Sequence, residues 1–135
     1  MNQREIKFRA WNADDEQMYS VTSVDFVDGT CEVEGDDLGL SWRDENRNAQ
    51  ETILMQFTGL KDKNGKEIYE GDILAKPKFS QSVEVQWMDH DGAWWVRFHG
   101  ADSYKNLSAF NEWDECVAEV IGNIYENPEL QKEAV

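Results

Sequence analysis

The chain has 135 residues, 40% of them hydrophobic and 30% charged, with a formal net charge of −15. That length allows one domain or two small ones, and the composition is that of a chain that folds behind a well-solvated surface. The charge disfavours phosphate backbones and anionic membranes and leaves cationic partners open.

The opening EIKFRAW sets Ile6, Phe8 and Ala10 on one side and Lys7, Arg9 and Trp11 on the other, the pattern of a half-buried strand. NADDEQ is a polar turn. MYSVTSVDFV is rich in β-branched and aromatic residues and predicts a second strand, followed by a two-residue hairpin turn at Asp28-Gly29 and a third strand at TCEVEG. Residues 5–34 therefore predict a three-stranded antiparallel meander. Residues 35–52 lose the alternation and predict an irregular loop between two parts of the chain, with Trp42 as its anchor.

From residue 53 the β pattern returns. ILMQF is a short apolar run, Asn64-Gly65 predicts a tight hairpin turn, and Gly71 supplies a positive φ before the strand DILA. Pro77 ends that strand. VEVQW and AWWVRF flank MDHDG and predict the clearest hairpin of the chain. Trp94, Val96 and Phe98 fall on one face, with Trp95, Arg97 and His99 on the other. Leu107 and Phe110, three apart, predict a short helix within 104–113. VAEVIGNIY is a last strand with a bend at Gly122, and Asn127-Pro128 marks the N-cap and first residue of a short C-terminal helix. The expected fold is mainly β: an N-terminal meander with its loop over 1–52, then a small SH3-like barrel over 53–135.

Charge is uneven. Residues 1–57 carry 5 basic and 13 acidic side chains, and residues 79–135 carry 3 and 11. Between them, residues 58–78 hold Lys61, Lys63, Lys66, Lys76 and Lys78 against Asp62, Glu67, Glu70 and Asp72. An anion-binding finger is one reading. The plainer one is that alternating charges beside a turn keep an exposed hairpin soluble and block edge pairing. Cys31 and Cys116 form no metal or redox motif and are expected as reduced thiols. MNQREIKFRAW has no apolar leader core, and no run approaches the length of a membrane span.

LMQFTGLKDKNGKEIYEGDIL (54–74), EVIGNIYENPEL (119–130) and REIKFRAWNADDEQMY (4–19) together resemble the YopX family of small proteins encoded in bacteriophages and prophages. The resemblance implies a phage context in the bacterial cytoplasm. It brings no catalytic residue and no cofactor.

Asp89-His90-Asp91 offers two carboxylates beside an imidazole, a set that could hold a metal or move protons. Adjacent side chains diverge, however, and a hairpin tip takes Asp and Gly for backbone reasons alone. Neither a nucleophile elbow nor a phosphate-binding glycine loop is present. The remaining candidates are an interaction surface of Trp11, Trp42, Trp95 and Trp113 with Lys61, Lys63 and Lys66, since exposed tryptophans anchor interfaces while most are packing units. The expectation is a non-catalytic protein–protein interaction or assembly module without metal or cofactor. It self-associates and contacts a host or phage protein. The rivals are a metal-dependent or small-molecule enzyme built on Asp89, His90 and Asp91, and a nucleic-acid binder through the 58–78 lysine loop, which the net charge opposes.

Overall fold

The computed structural model describes residues 5–42, 52–76, 81–99, 103–112 and 118–131. The chain divides into two compact units, Met1–Phe57 and Thr58–Val135. The fold is mainly β, as the sequence predicts, with antiparallel sheets and few helices.

The first unit holds β1 (Phe8–Asn12), β2 (Gln17–Asp25), β3 (Thr30–Val33), β4 (Asp36–Ser41) and the first half of β5 (Thr52–Lys61), paired in the order β4-β3-β2-β1-β5. Register gathers its core on one face. Ala10 lies between Tyr19 and Leu54, and Cys31 between Val24 and Leu40. These residues, with Val21, Val33 and Trp42, form the core cluster of this unit. Cys31 is buried, and burial pushes its thiol pKa up, which keeps it protonated and inert.

Two sequence expectations change here. Residues 36–41, read as irregular, are a strand: Gly35 takes φ +83° and turns the chain back so that Leu40 pairs with Cys31. The Asp28-Gly29 turn is wider than two residues. Asp25 pairs with Thr30, and its Oδ1 accepts the N–H groups of Val27 and Asp28, each at 2.9 Å. A side chain that satisfies two turn donors makes a four-residue loop as well ordered as a tight one.

In the second unit the later half of β5 pairs with β6 (Glu67–Tyr69). A five-stranded sheet follows in the order β10 (Tyr104–Asn106), β9 (Ala93–Phe98), β8 (Val83–Met88), β7 (Asp72–Ala75), β11 (Glu119–Asn123). Among the described residues β10 and β11 stay its two edges, so the closure expected of an SH3-like barrel is not seen there. The predicted short helix is α1 (Leu107–Glu112), preceded by the strand β10, and the C-terminal one is a 3-10 turn at Pro128–Gln131. Ile68, Leu74, Val83, Val85, Val96, Leu107, Phe110, Ala118 and Val120 form the core, with Trp94 and Phe98 packed against it. Phe110 meets Phe98 edge-on at 5.7 Å and carries the Lys76 ammonium over its ring at 4.6 Å. Among the described residues no helix is long and apolar enough to cross a membrane.

The bend expected at Gly122 has a steric origin. β11 shifts register between Val120 and Gly122, and Asn127 folds back so that its Oδ1 accepts the N–H of Asn123 at 3.2 Å. The N-cap side chain thus bonds backwards rather than into the 3-10 turn. A Cβ on Gly122 would stand 2.4 Å from that Oδ1 and 2.9 Å from a Leu130 methyl. Gly122→Ala is expected to lower the unfolding free energy by about 1–3 kcal/mol, the usual cost of overpacking. An unchanged urea midpoint would mean that Asn127 and Leu130 step aside freely.

Candidate interaction surfaces

The lysine loop is built around an acid. Asp62 exchanges backbone bonds across the loop: its N–H donates to the Lys66 carbonyl at 2.8 Å, and its carbonyl accepts from Gly65 N–H at 3.0 Å. Its Oδ1 accepts the N–H groups of Asn64 and Lys66 at 2.8 and 2.9 Å. Its Oδ2 reaches β11 and accepts the Val120 N–H at 3.0 Å. Gly65 has φ +82° and Asn64 is not in the left-handed region, so the tight two-residue turn expected at Asn64-Gly65 gives way to a wider loop centred on Asp62. Burial raises the Asp62 pKa, but the three N–H donors, with Lys66 nearby, outweigh it and hold the carboxyl below its usual range.

That loop lies on the start of β11. Lys63 N–H donates to the Ala118 carbonyl at 3.1 Å, Lys63 Nζ stands 3.4 Å from Glu119, and Asn64 Nδ2 donates to Glu119 at 3.3 Å. Of the five lysines, Lys61, Lys63 and Lys66 are exposed and Lys76 is buried over Phe110. Lys78 falls outside the described residues. The segment is a clasp on an edge strand with three exposed ammonium groups on its outside.

A second feature sits at the β8–β9 hairpin. Pairing of Gln86 with Trp95 and of Asn106 with Trp95 puts Trp95 on the face opposite Trp94, as alternation predicts. Met88, His90, Asp91, Trp95 and Tyr104 line an open cleft of about 320 Å³. His90 Nε2 and Asp91 Oδ2 are 3.7 Å apart at its rim, both in contact with solvent. Asp89, His90 and Asp91 are all exposed, and among the described residues no three His, Cys, Asp or Glu side chains converge as a metal site would need. Chemically the cleft offers aromatic and thioether surface with a polar lip, suited to holding an apolar group.

One polar pair escaped the sequence reading. Ser82 Oγ lies 2.7 Å from His99 Nδ1, and His99 N–H donates to the Ser82 carbonyl at 3.1 Å. The register that sets Trp87 against Trp94, carried outward, already points Ser82 at His99. His99 is only 5% exposed. Burial, helped by Arg97 and opposed by Glu84, lowers the His99 pKa, so the ring stays neutral and closes the open end of the hairpin.

The other tryptophans differ in setting. Trp11 is 9% exposed on β1. Trp42 packs on the first core, donates from Nε1 to the Thr30 carbonyl at 2.8 Å and meets Phe26 edge-on. Trp113 and Cys116 lie outside the described residues.

The family model described as YopX protein matches residues 7–132. The crystal structure of protein EF1440 from Enterococcus faecalis is similar over 96% of this chain and 100% of its own, with 31% identity and a TM-score of 0.65. That of protein yopX from Bacillus subtilis is similar over the whole of both chains, with 21% identity and a TM-score of 0.59. No curated protein matches.

The Asp62 geometry has a pH signature. Asp62→Asn puts an amide donor among N–H donors and is expected to cost about 1–3 kcal/mol at neutral pH. Because the folded pKa is depressed, the stabilisation is complete above the unfolded value near 3.9 and fades as pH falls through the folded one. The stability gap between wild type and Asp62→Asn should therefore be flat at neutral pH and shrink below about pH 4. A gap that persists undiminished at the lowest pH would show that the carboxylate charge does not matter. The lysines behave differently: replacing Lys61, Lys63 and Lys66 with Gln should leave each site within about ±0.5 kcal/mol, since the Lys63–Glu119 pair is exposed. A larger loss in the triple variant's denaturation curve would give the ammonium groups a structural part beyond the clasp's backbone bonds.

Proposed function

The chain belongs to the YopX family, and from that premise we propose that it is a non-catalytic protein–protein contact module. Its setting on this reading is phage-derived and cytoplasmic, and its first contact is with a second copy of itself. One observation carries the reading: an open cleft of Met88, Trp95 and Tyr104 lies next to β10, the short strand that ends the second sheet. Aromatic and methionine side chains are the types enriched in interface cores. Among the described residues no strand lies beyond β10 in its sheet, and a sheet edge is where a partner strand can add. Two copies meeting edge to edge would form an isologous contact, the commonest kind among homo-oligomers. The opposite edge, β11, is closed by Asp62 and Asn127, which leaves the β10 side as the place for growth.

Self-association on this surface works against charge. Each copy carries −15, so added salt should strengthen the assembly by screening the repulsion while the apolar contact is unaffected. Light scattering at micromolar concentration is expected to find a species larger than 15.7 kDa, with Trp95→Ala and Tyr104→Ala together returning it to a monomer that still unfolds cooperatively, at a lower melting temperature because the partner's stabilisation is lost. A wild-type protein that scatters as a single 15.7 kDa species would sink the reading.

A further inference from the structure

The first unit carries an unusual charge distribution. From Ala10 to Trp42, a stretch that includes β1 from its middle through β4, there are nine Asp and Glu side chains and not one Lys or Arg. At the end of the β2–β3 hairpin the chain nevertheless exposes large apolar groups: Phe26 is 61% and Val27 is 85% exposed, and Ile6 beside β1 is 64% exposed. These are not loose ends. Asp25 ties the turn through the Val27 and Asp28 N–H groups, and the Gly29 N–H returns to the Asp25 carbonyl at 2.9 Å. The Phe26 ring is held edge-on against Phe8 at 6.3 Å and Trp42 at 5.9 Å.

Two hollows adjoin the tip and share Ser23 and Val24 in their walls. One, of about 600 Å³, is lined by Phe26, Val27, Asp25 and Glu32; the other, of about 250 Å³, by Ile6, Phe8 and Val21. Lys7, the charged residue in the lining of the second hollow, is offset by Glu5 at 3.1 Å, while the first hollow is lined by Asp25 and Glu32. Apolar anchors already ordered before contact lower the conformational cost of binding. The acidic surround selects what can approach: it repels phosphates and a second copy of this sheet, and it attracts lysine and arginine.

We infer that the β2–β3 end of the first unit is a docking surface for a basic polypeptide segment, one that alternates cationic side chains with apolar ones. The apolar side chains settle against Phe26 and Val27 and into the two hollows. The cations face Asp25, Asp28 and Glu32. The inference rests on reading the chain as a contact module, but it uses a surface in the other unit and a partner of opposite charge. Its salt dependence is therefore the reverse of that expected for self-association.

The test is titration of the full chain with two synthetic peptides of equal length and charge, one alternating Lys with Leu and the other Lys with Ser, followed by calorimetry. Wild type is expected to bind the Lys/Leu peptide about tenfold or more tightly than the Lys/Ser peptide, a difference of about 1.4 kcal/mol. Both affinities should fall with added salt. Val27→Ser, whose parent side chain touches mostly solvent, and the double variant with Phe26→Ser should lose that preference. Val27→Ser should do so with its melting temperature unchanged, which separates lost binding from misfolding. Equal affinity of wild type for the two peptides would reduce the effect to bulk charge and overturn the inference. So would a preference that survives in both tip variants. A preference lost instead in Trp95→Ala, with the tip variants unaffected, would overturn it while leaving the contact-module reading in place.

Discussion

A sheet edge presents backbone donors and acceptors that must find partners, and β11 meets this demand with side chains and a loop rather than another strand. Val120 gives its N–H to Asp62, Ala118 receives that of Lys63, and Asn123 gives its N–H to Asn127. The inward side of β11 pairs with β7, and Ala118 and Val120 enter the core with Leu74 and Phe110. Gly122 has to lack a side chain because Asn127 sits over it. The basic-rich loop, the glycine of the last strand and the asparagine before Pro128 are three parts of one arrangement.

The same chemistry recurs along the chain and gives its acidity a second meaning. Asn12 accepts the N–H of Asp14, Asp15 that of Gln17, Asp25 those of Val27 and Asp28, and Asn123 those of Tyr125 and Glu126. A short side chain that can fold onto the backbone two or three residues ahead replaces the strained conformations of a two-residue turn. Part of the carboxylate excess is thus internal scaffolding. The remainder faces solvent and sets the field that a partner meets.

Legibility followed the range of the interaction. Strands with alternating apolar residues, such as β1, β8 and β9, could be read because their pattern is local, and so could the opposite facing of Trp94 and Trp95. Positive φ at Gly29, Gly65 and Gly71 was equally legible, because only the local turn demands it. Turn widths were not, because they depend on where the Asp25 and Asp62 carboxylates point. β4 was missed since DDLGLS has no β-branched residue and owes its extension to pairing with β3. The part of Asp62 that matters most could not be read at all: its partner Val120 lies 58 positions away. Lys76 looked like one more exposed cation, and only the fold sets it over Phe110. On the candidate surfaces, the outward Trp95 was visible in the pattern, while the Ser82–His99 pair needed the hairpin register continued past its last apolar residue.

The position of β11 in the chain has a consequence for the newborn protein. β7 is made early in the second unit, yet the strand that covers its second edge, β11, comes more than forty residues later. During synthesis the loop around Asp62 emerges with its Oδ2 acceptor turned toward a strand that does not yet exist, and β7 waits with open backbone groups beside an incomplete core. Pairing at such sequence separation is slow, because the intervening chain must be closed before any bond rewards it. The second edge of β7 and the Oδ2 of Asp62 therefore find their native partners only once residues 118–127 have been made.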